Sequence, residues 1–270
     1  MRQLMAVIVS LCLITGASAQ TAPSKGAPPE AGAEAAKVDT ANKGDATAEL
    51  TDPGEILRRA DEALKRVTLV KYYGIFRGMG GMAMRFPSVR GTVILGGVSG
   101  DELDKYHLDV HVVPPRGTSR TKVLMSSNGH VHYFVDEKTK TVHVDTDPEV
   151  SGDMGRLAKF IALPHFTHAN ALWDELRMEK ATLLGSAQAG GEDCYHLELQ
   201  NAEGPLRARW WISRRDFLPR RRELAWRHEE EGPAGLLWDF VQLEVDPKLE
   251  EDAFKIAIPE GYTKTDQPAK

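Results

Sequence analysis

The feature that most constrains this chain is a run of short, apolar-rich segments at even spacing with turn residues between them. Residues 68–77 are rich in Val, Tyr, Ile and Phe, and 89–95, 106–113 and 121–126 follow, separated by Gly and Pro clusters. Segments 130–135 and 141–144 flank Asp136-Glu137-Lys138-Thr139-Lys140, a polar hairpin turn. After a break the pattern resumes at 181–186, 194–199, 207–213, 221–227 and 236–245, with Asn201-Ala202-Glu203-Gly204 as a hairpin loop. Such a pattern predicts an antiparallel meander, curled or closed into a barrel.

Two helical signals interrupt the strands. Asp52 can cap, Pro53 takes the first helical position and Glu55 has capping-box spacing, so a helix is predicted over 53–66. Ile56, Leu57, Ala60, Leu64 and Val67 recur at helical spacing, while Arg58, Arg59, Asp61, Glu62 and Lys65 fill the other face. Between Pro148 and Leu176, the residues Met154, Leu157, Ala158, Ile161 and Ala162 predict a helix that ends at Pro164, and 169–176 predicts a second short one.

The N-terminus has the layout of a cleavable signal peptide over residues 1–19. Arg2 gives the charged region, Leu4 to Ile14 the apolar run and Ala17-Ser18-Ala19 the cleavage site, leaving Gln20 first in a periplasmic or secreted product. An uncleaved anchor helix is the alternative. Residues 20–51 lack aromatics and periodicity and read as a disordered Ala/Pro-rich tether, which leaves 52–265 as one domain. Of the two cysteines, Cys12 lies in the leader, so Cys194 has no internal disulfide partner; it reads as a buried, inert strand residue rather than a redox thiol.

A net charge of −5 argues against a nucleic-acid partner. Arg214-Arg215 and Arg220-Arg221-Arg222 are followed by Glu229-Glu230-Glu231, the composition of a charged rim.

The order of elements and several local stretches resemble the LolA/LolB-like periplasmic lipoprotein-carrier fold. The leading helix runs straight into a long strand, and Asn128-Gly129-His130-Val131-His132-Tyr133-Phe134-Val135-Asp136 is similar to a hairpin of that family. Asp193-Cys194-Tyr195-His196-Leu197-Glu198-Leu199, then Trp211-Ile212-Ser213 and Phe217-Leu218-Pro219-Arg220, resemble its next stretch. Trp238-Asp239-Phe240, Pro247-Lys248-Leu249 and Phe254 with Pro259-Glu260-Gly261-Tyr262 resemble its closing pattern. The resemblance implies an α+β fold in which a curved antiparallel sheet forms a half-open barrel, lidded by the N-terminal helix and the central helical insertion. It also implies carriage or sensing of a hydrophobic ligand. A lipid-gating arginine of the true carriers has no match here.

Catalytic motifs are not evident: the sequence has no G-x-S-x-G, Walker loop or His-Glu-x-x-His, and it reads as a non-enzyme without a cofactor. His130 and His132, two apart on a strand and about 7 Å from each other, could meet a metal with His143. Met79, Met82 and Met84 could offer soft sulfur to copper, although a pliable apolar rim is the simpler reading. Strand alternation puts Ala208, Trp210 and Ile212 on one face, and Leu237, Val241, Leu243 and Val245 opposite Trp238, Phe240, Gln242 and Glu244. The expected ligand contacts are Tyr72, Met79, Met82, Met84, Trp210, Trp238 and Phe240, around an acyl chain, a lipoprotein or another apolar ligand. Peripheral membrane contact is compatible with this reading. The alternatives are a protein-interaction or envelope-stress-sensing module of the same fold, and an exported copper or zinc binder.

Overall fold

The computed structural model describes residues 49–96, 105–166, 168, 170–201, 206–228 and 232–269. The leader, the tether up to residue 48, Ala202-Glu203-Gly204 and Glu229-Glu230-Glu231 lie outside the described residues.

Helix α1 (Pro53–Leu64) begins where Asp52 accepts the Gly54 N–H at 3.0 Å. The expected capping box does not form, because Glu55 turns to Arg58 (2.8 Å) and Arg59 (2.7 Å) one turn on. Two guanidiniums offer that carboxylate charge-assisted bonds, which outweigh a neutral backbone donor. Ile56, Leu57, Ala60, Leu64 and Val67 are buried as their spacing predicts. Asp61, expected on the outer face, is buried as well and accepts the Leu172 backbone N–H at 3.3 Å.

Every predicted strand forms: β1 (Leu69–Gly80), β2 (Ser88–Gly96), β3 (Lys105–Val113), β4 (Thr121–Asn128), β5 (His132–Asp136), β6 (Thr141–Asp145), β7 (Lys180–Ala189), β8 (Glu192–Gln200), β9 (Arg207–Ser213), β10 (Pro219–His228) and β11 (Gly232–Val245). An unpredicted β12 (Thr263–Thr265) runs parallel to β6; three residues are too short for any periodicity to show. The strand order is β12-β6-β5-β4-β3-β2-β1-β11-β10-β9-β8-β7, one open curved sheet whose two edges stay apart. Two meanders, β1–β6 and β7–β11, are therefore joined by the antiparallel pair β1 and β11. The half-open, lidded α+β architecture implied by the resemblance is what the chain adopts.

Period-two alternation decides which face carries the core. Val70, Tyr72 and Phe76 of β1, Tyr106, Leu108, Val110 and Val112 of β3, and Ala208, Trp210 and Ile212 of β9 all belong to one apolar cluster. Trp238 and Phe240 of β11 and the inner stripe of α1 join the same cluster. The opposite face carries smaller groups: Ala189, Cys194 and Trp211 form one, and Val135, Val142 and Ile256 another.

The chain between β6 and β7 lies across the core face as a lid. It contains α2 (Gly152–Ala158) and 3-10 turns at Pro148–Ser151, Lys159–Ile161, Pro164–Phe166 and Glu175–Arg177. Pro164 opens a 3-10 turn rather than only ending the helix before it. The helix expected at 169–176 is replaced, among its described residues, by turns and one 3-10 turn. So short a segment cannot offset helix nucleation by itself, and Asp61 fixes its backbone at Leu172 instead.

Candidate functional site

A continuous group of aromatic rings lies between the core face of the sheet and the lid. Phe160 of the lid stacks on Phe76 at 5.2 Å and 14°, and Phe76 touches Trp238 at 5.0 Å. Phe166 of the lid meets Tyr72 at 5.6 Å and Phe240 at 5.4 Å, and Tyr72 meets Phe240 edge-on at 5.2 Å. Offset and edge contacts of this kind each add about 0.5–1.5 kcal/mol beyond the area they bury.

Two sheet side chains hold the lid by its backbone, through three hydrogen bonds. The Tyr72 hydroxyl donates to the Ile161 carbonyl (3.2 Å) and accepts the Leu163 N–H (3.3 Å); Trp238 Nε1 donates to the Phe160 carbonyl (2.9 Å). Burial pushes the Tyr72 phenol far above its ordinary pKa, so it remains a neutral two-way partner. Tyr72 faces a β-bulge: Lys71 pairs with Glu244 and Tyr73 with Val241, which leaves Gln242 and Leu243 opposite one residue. Gln242 takes the left-handed conformation there, with φ of 53°. Such bulges bend a strand and re-aim its side chains.

Beside the aromatics lies a charged group that the sequence reading missed. Arg222 of β10 pairs across the sheet with Trp210 of β9 and Trp238 of β11, and its guanidinium lies 5.0 Å and 5.4 Å from their ring centres. It donates to Glu175 Oε1 at 3.2 Å, and that same oxygen lies 3.2 Å from His165 Nε2. Glu175 and His165 both belong to the lid, and the His165 ring meets Trp210 at 5.1 Å. Burial alone would raise the Glu175 carboxyl, yet its basic neighbours hold it down at about 2. Burial, helped by Arg222, lowers His165 below 6.5. His165 first and Arg222 after it hold the Glu175 carboxylate in its ionised form.

The arginines expected on a charged rim divide between surface and interior. Arg220 is 1 % exposed and pairs with Asp216 (2.6 Å) and Glu192 (2.9 Å); Arg222 is 5 % exposed. Arg221 reaches Asp239 on the other face of the sheet. Alternation with Leu224, which is buried, was the available signal for Arg222; Arg220 lies in a bulge between Pro219 and Arg221, where alternation does not apply.

The expected contacts Tyr72, Trp210, Trp238 and Phe240 meet in this one cluster. The methionines part: Met82 is buried in the core, Met79 is next to last in β1 and half-buried, and Met84 is 59 % exposed. Gly78 lets the turn fold back, since a Cβ there would stand 2.2 Å from the Met82 carbonyl oxygen. His130 falls in the turn before β5 rather than on it. His132 Nδ1 lies 3.3 Å from the Tyr106 hydroxyl and His143 Nδ1 2.6 Å from the Gln267 carbonyl. Among the described residues no three His, Cys, Asp or Glu side chains converge as a metal site. Cys194 is buried, and that burial pushes its thiol up to about 11. A concavity of about 340 Å³ is lined by Arg58, Arg59, Glu62, Arg66 and Phe217, away from the lid. Among the described residues no helix is long and apolar enough to cross a membrane.

No curated protein matches the chain. Solved structures similar to it include MucB, at 14 % identity over 76 % of this chain and 62 % of that one, with a TM-score of 0.45. LprF from Mycobacterium bovis is 12 % identical over 73 % of this chain and 94 % of its own, with a TM-score of 0.46. A LolA superfamily protein from Nitrosomonas europaea is 15 % identical over 77 % of this chain and 99 % of its own, with a TM-score of 0.29. The chain spans about three fifths of the MucB length. These likenesses are ones of general outline, and they assign no ligand or partner to this chain. Over residues 170–266, which run from the last part of the lid through β12, the chain matches a family described as "Predicted periplasmic protein (DUF2092)", in agreement with the exported location expected from the leader.

Proposed function

We propose that the protein is a periplasmic, non-enzymatic binding module that takes an acyl chain or other apolar ligand onto the core face of its half-barrel, beneath the lid. The observation that carries this reading is how the lid docks. Its described residues contribute no strand to the sheet, and its aromatic side chains and a few side-chain-to-backbone bonds cover the aromatic rings of β1 and β11. Displacing Phe160 and Phe166 breaks no ladder and uncovers a surface on which an alkyl chain would be stabilised by about 25 cal/mol per Å² of buried area. Tyr72, Met82, Trp210, Trp238 and Phe240 would receive the chain, with Met79 and Met84 at the rim.

The test is fluorescence titration of the chain from Gln20 to Lys270 with the neutral dye N-phenyl-1-naphthylamine. Saturable one-to-one uptake, increased several-fold in Phe160→Ala, is expected. Absence of uptake in both proteins would overturn the reading.

A protein partner is the second reading, and strand β7 favours it. β7 is ten residues long, forms one edge of the sheet and exposes Leu184 by 48 %. An extended segment of another envelope protein could add to such an edge. A stoichiometric complex that survives lipid extraction and is lost in Leu184→Lys would establish it; a complex unaffected by that change would not.

A further inference from the structure

Arg222 is the charge that the lid covers, and its counter-charge comes from the lid itself. In the sheet it stands between Trp210 and Trp238, and across the β11–β1 pair Trp238 faces Phe76, so one cation interrupts an aromatic row. Its Nη2 reaches Glu175, whereas its Nε is buried without a hydrogen-bond partner. Trp210 Nε1 and His165 Nδ1 are buried without partners in the same group. Arginine and tryptophan only donate, so the wall that belongs to the sheet is rich in donors and poor in acceptors. Among the described residues the carboxylates that act on the guanidinium, Glu175 and Asp174, both sit on the element that must move. When the lid lifts, Glu175 goes with it and leaves the guanidinium among aromatic rings with no counter-charge. A buried charge so stranded is strongly unfavourable. A purely apolar ligand cannot relieve it, but one with an anionic head can.

We infer that the half-barrel selects a single-chain amphiphile with a carboxylate head, which replaces Glu175 on Arg222 and Trp210 Nε1 while its chain lies along Trp238, Phe240 and Tyr72. This rests on the apolar-ligand reading above and names the ligand class for the same site. Glu175 is then the site's internal occupant, and ligand and lid compete for one cation.

The test compares laurate, dodecanol and dodecyl phosphate as displacers of N-phenyl-1-naphthylamine from the chain Gln20 to Lys270. Laurate is expected to bind at least tenfold tighter than dodecanol. Glu175→Gln, which removes the competing charge but keeps a side chain of the same size, should tighten laurate by a larger factor than dodecanol and so widen the preference. In the paired variant Glu175→Gln with Arg222→Gln, both charges are gone, so dye uptake should persist and the preference for laurate should vanish. Dodecyl phosphate equal to laurate would widen the head group to anionic oxygen groups in general, and weaker binding would confine it to carboxylates. Equal affinity for laurate and dodecanol in the unaltered protein, with dye still bound, would overturn the head-group assignment alone. Failure of every probe to bind would overturn the apolar-ligand reading beneath it.

Discussion

Gly74 shows how one residue governs the closure of the lid. It lies on β1 between Tyr72 and Phe76, on the face that the lid covers, and a Cβ there would stand 2.8 Å from Ile161 Cγ1 and 3.0 Å from the Tyr72 ring. Gly74→Ala therefore overpacks the seam and should cost about 1–3 kcal/mol in urea denaturation; an unchanged midpoint would show that Ile161 can step aside. Cys194 offers a second check at this scale. Its thiol is buried and held near 11, so a chain starting at Gln20 should be inert to DTNB when folded and release one equivalent when denatured. Prompt reaction in the folded state would mean that β8 opens locally. Much at this scale was legible: alternation placed Tyr72, Trp210, Trp238 and Phe240 on strand faces, and Cys194 in the interior. Arg222 was not, because a run of arginines is read first as solvated charge. Its partner Glu175 is 47 positions away in an irregular segment, where no periodicity relates the two.

At the scale of elements, the lid is the part whose stability is most separable from the rest. Its attachments are side-chain bonds to single carbonyls and amides, and ring contacts, rather than a ladder. Trp238→Phe keeps the ring contact with Phe76 but deletes the donor to the Phe160 carbonyl, which should cost about 1 kcal/mol. Amide exchange should then speed up over 159–163 while β1 and β11 keep their protection. Equal acceleration in lid and strands would mean that they open as one unit. The strands were readable because each obeys a period of two. The lid was only partly readable: its α2 has a helical pattern, but the turns that follow are set by contacts with Asp61, Tyr72 and Trp238, all distant in sequence. The capping box failed for a related reason, since Arg58 and Arg59 compete for Glu55 in a way that a four-residue motif does not register.

For the whole molecule, histidine chemistry sets the expected response to acid. Burial is the leading cause that lowers His107, His132, His165 and His196 below 6.5, with Lys159, Arg222 and Arg209 adding to it at the last three. Below about pH 6.5 the unfolded chain takes up protons that the folded chain refuses, so stability falls as pH falls. Under 4.5 the depressed Glu175 carboxyl adds to the loss. Thermal melts at constant ionic strength should give a lower Tm at pH 5 than at pH 7.5; a flat profile would contradict the burial of these rings. The topology of the sheet was legible as far as two meanders, but not the join, because the pairing of β1 with β11 links residues such as Val70 and Val245 with no local signal. The connectivity of the lid has a mechanical consequence. It leaves the sheet at β6, next to one edge, and re-enters at β7, the other edge. A segment anchored on both banks cannot swing open like a door; it can only slacken as the banks approach or tighten as they spread. Cargo thickness is thereby converted into tension along one piece of backbone, and a half-barrel spread by its load would feel that load at both edges at once.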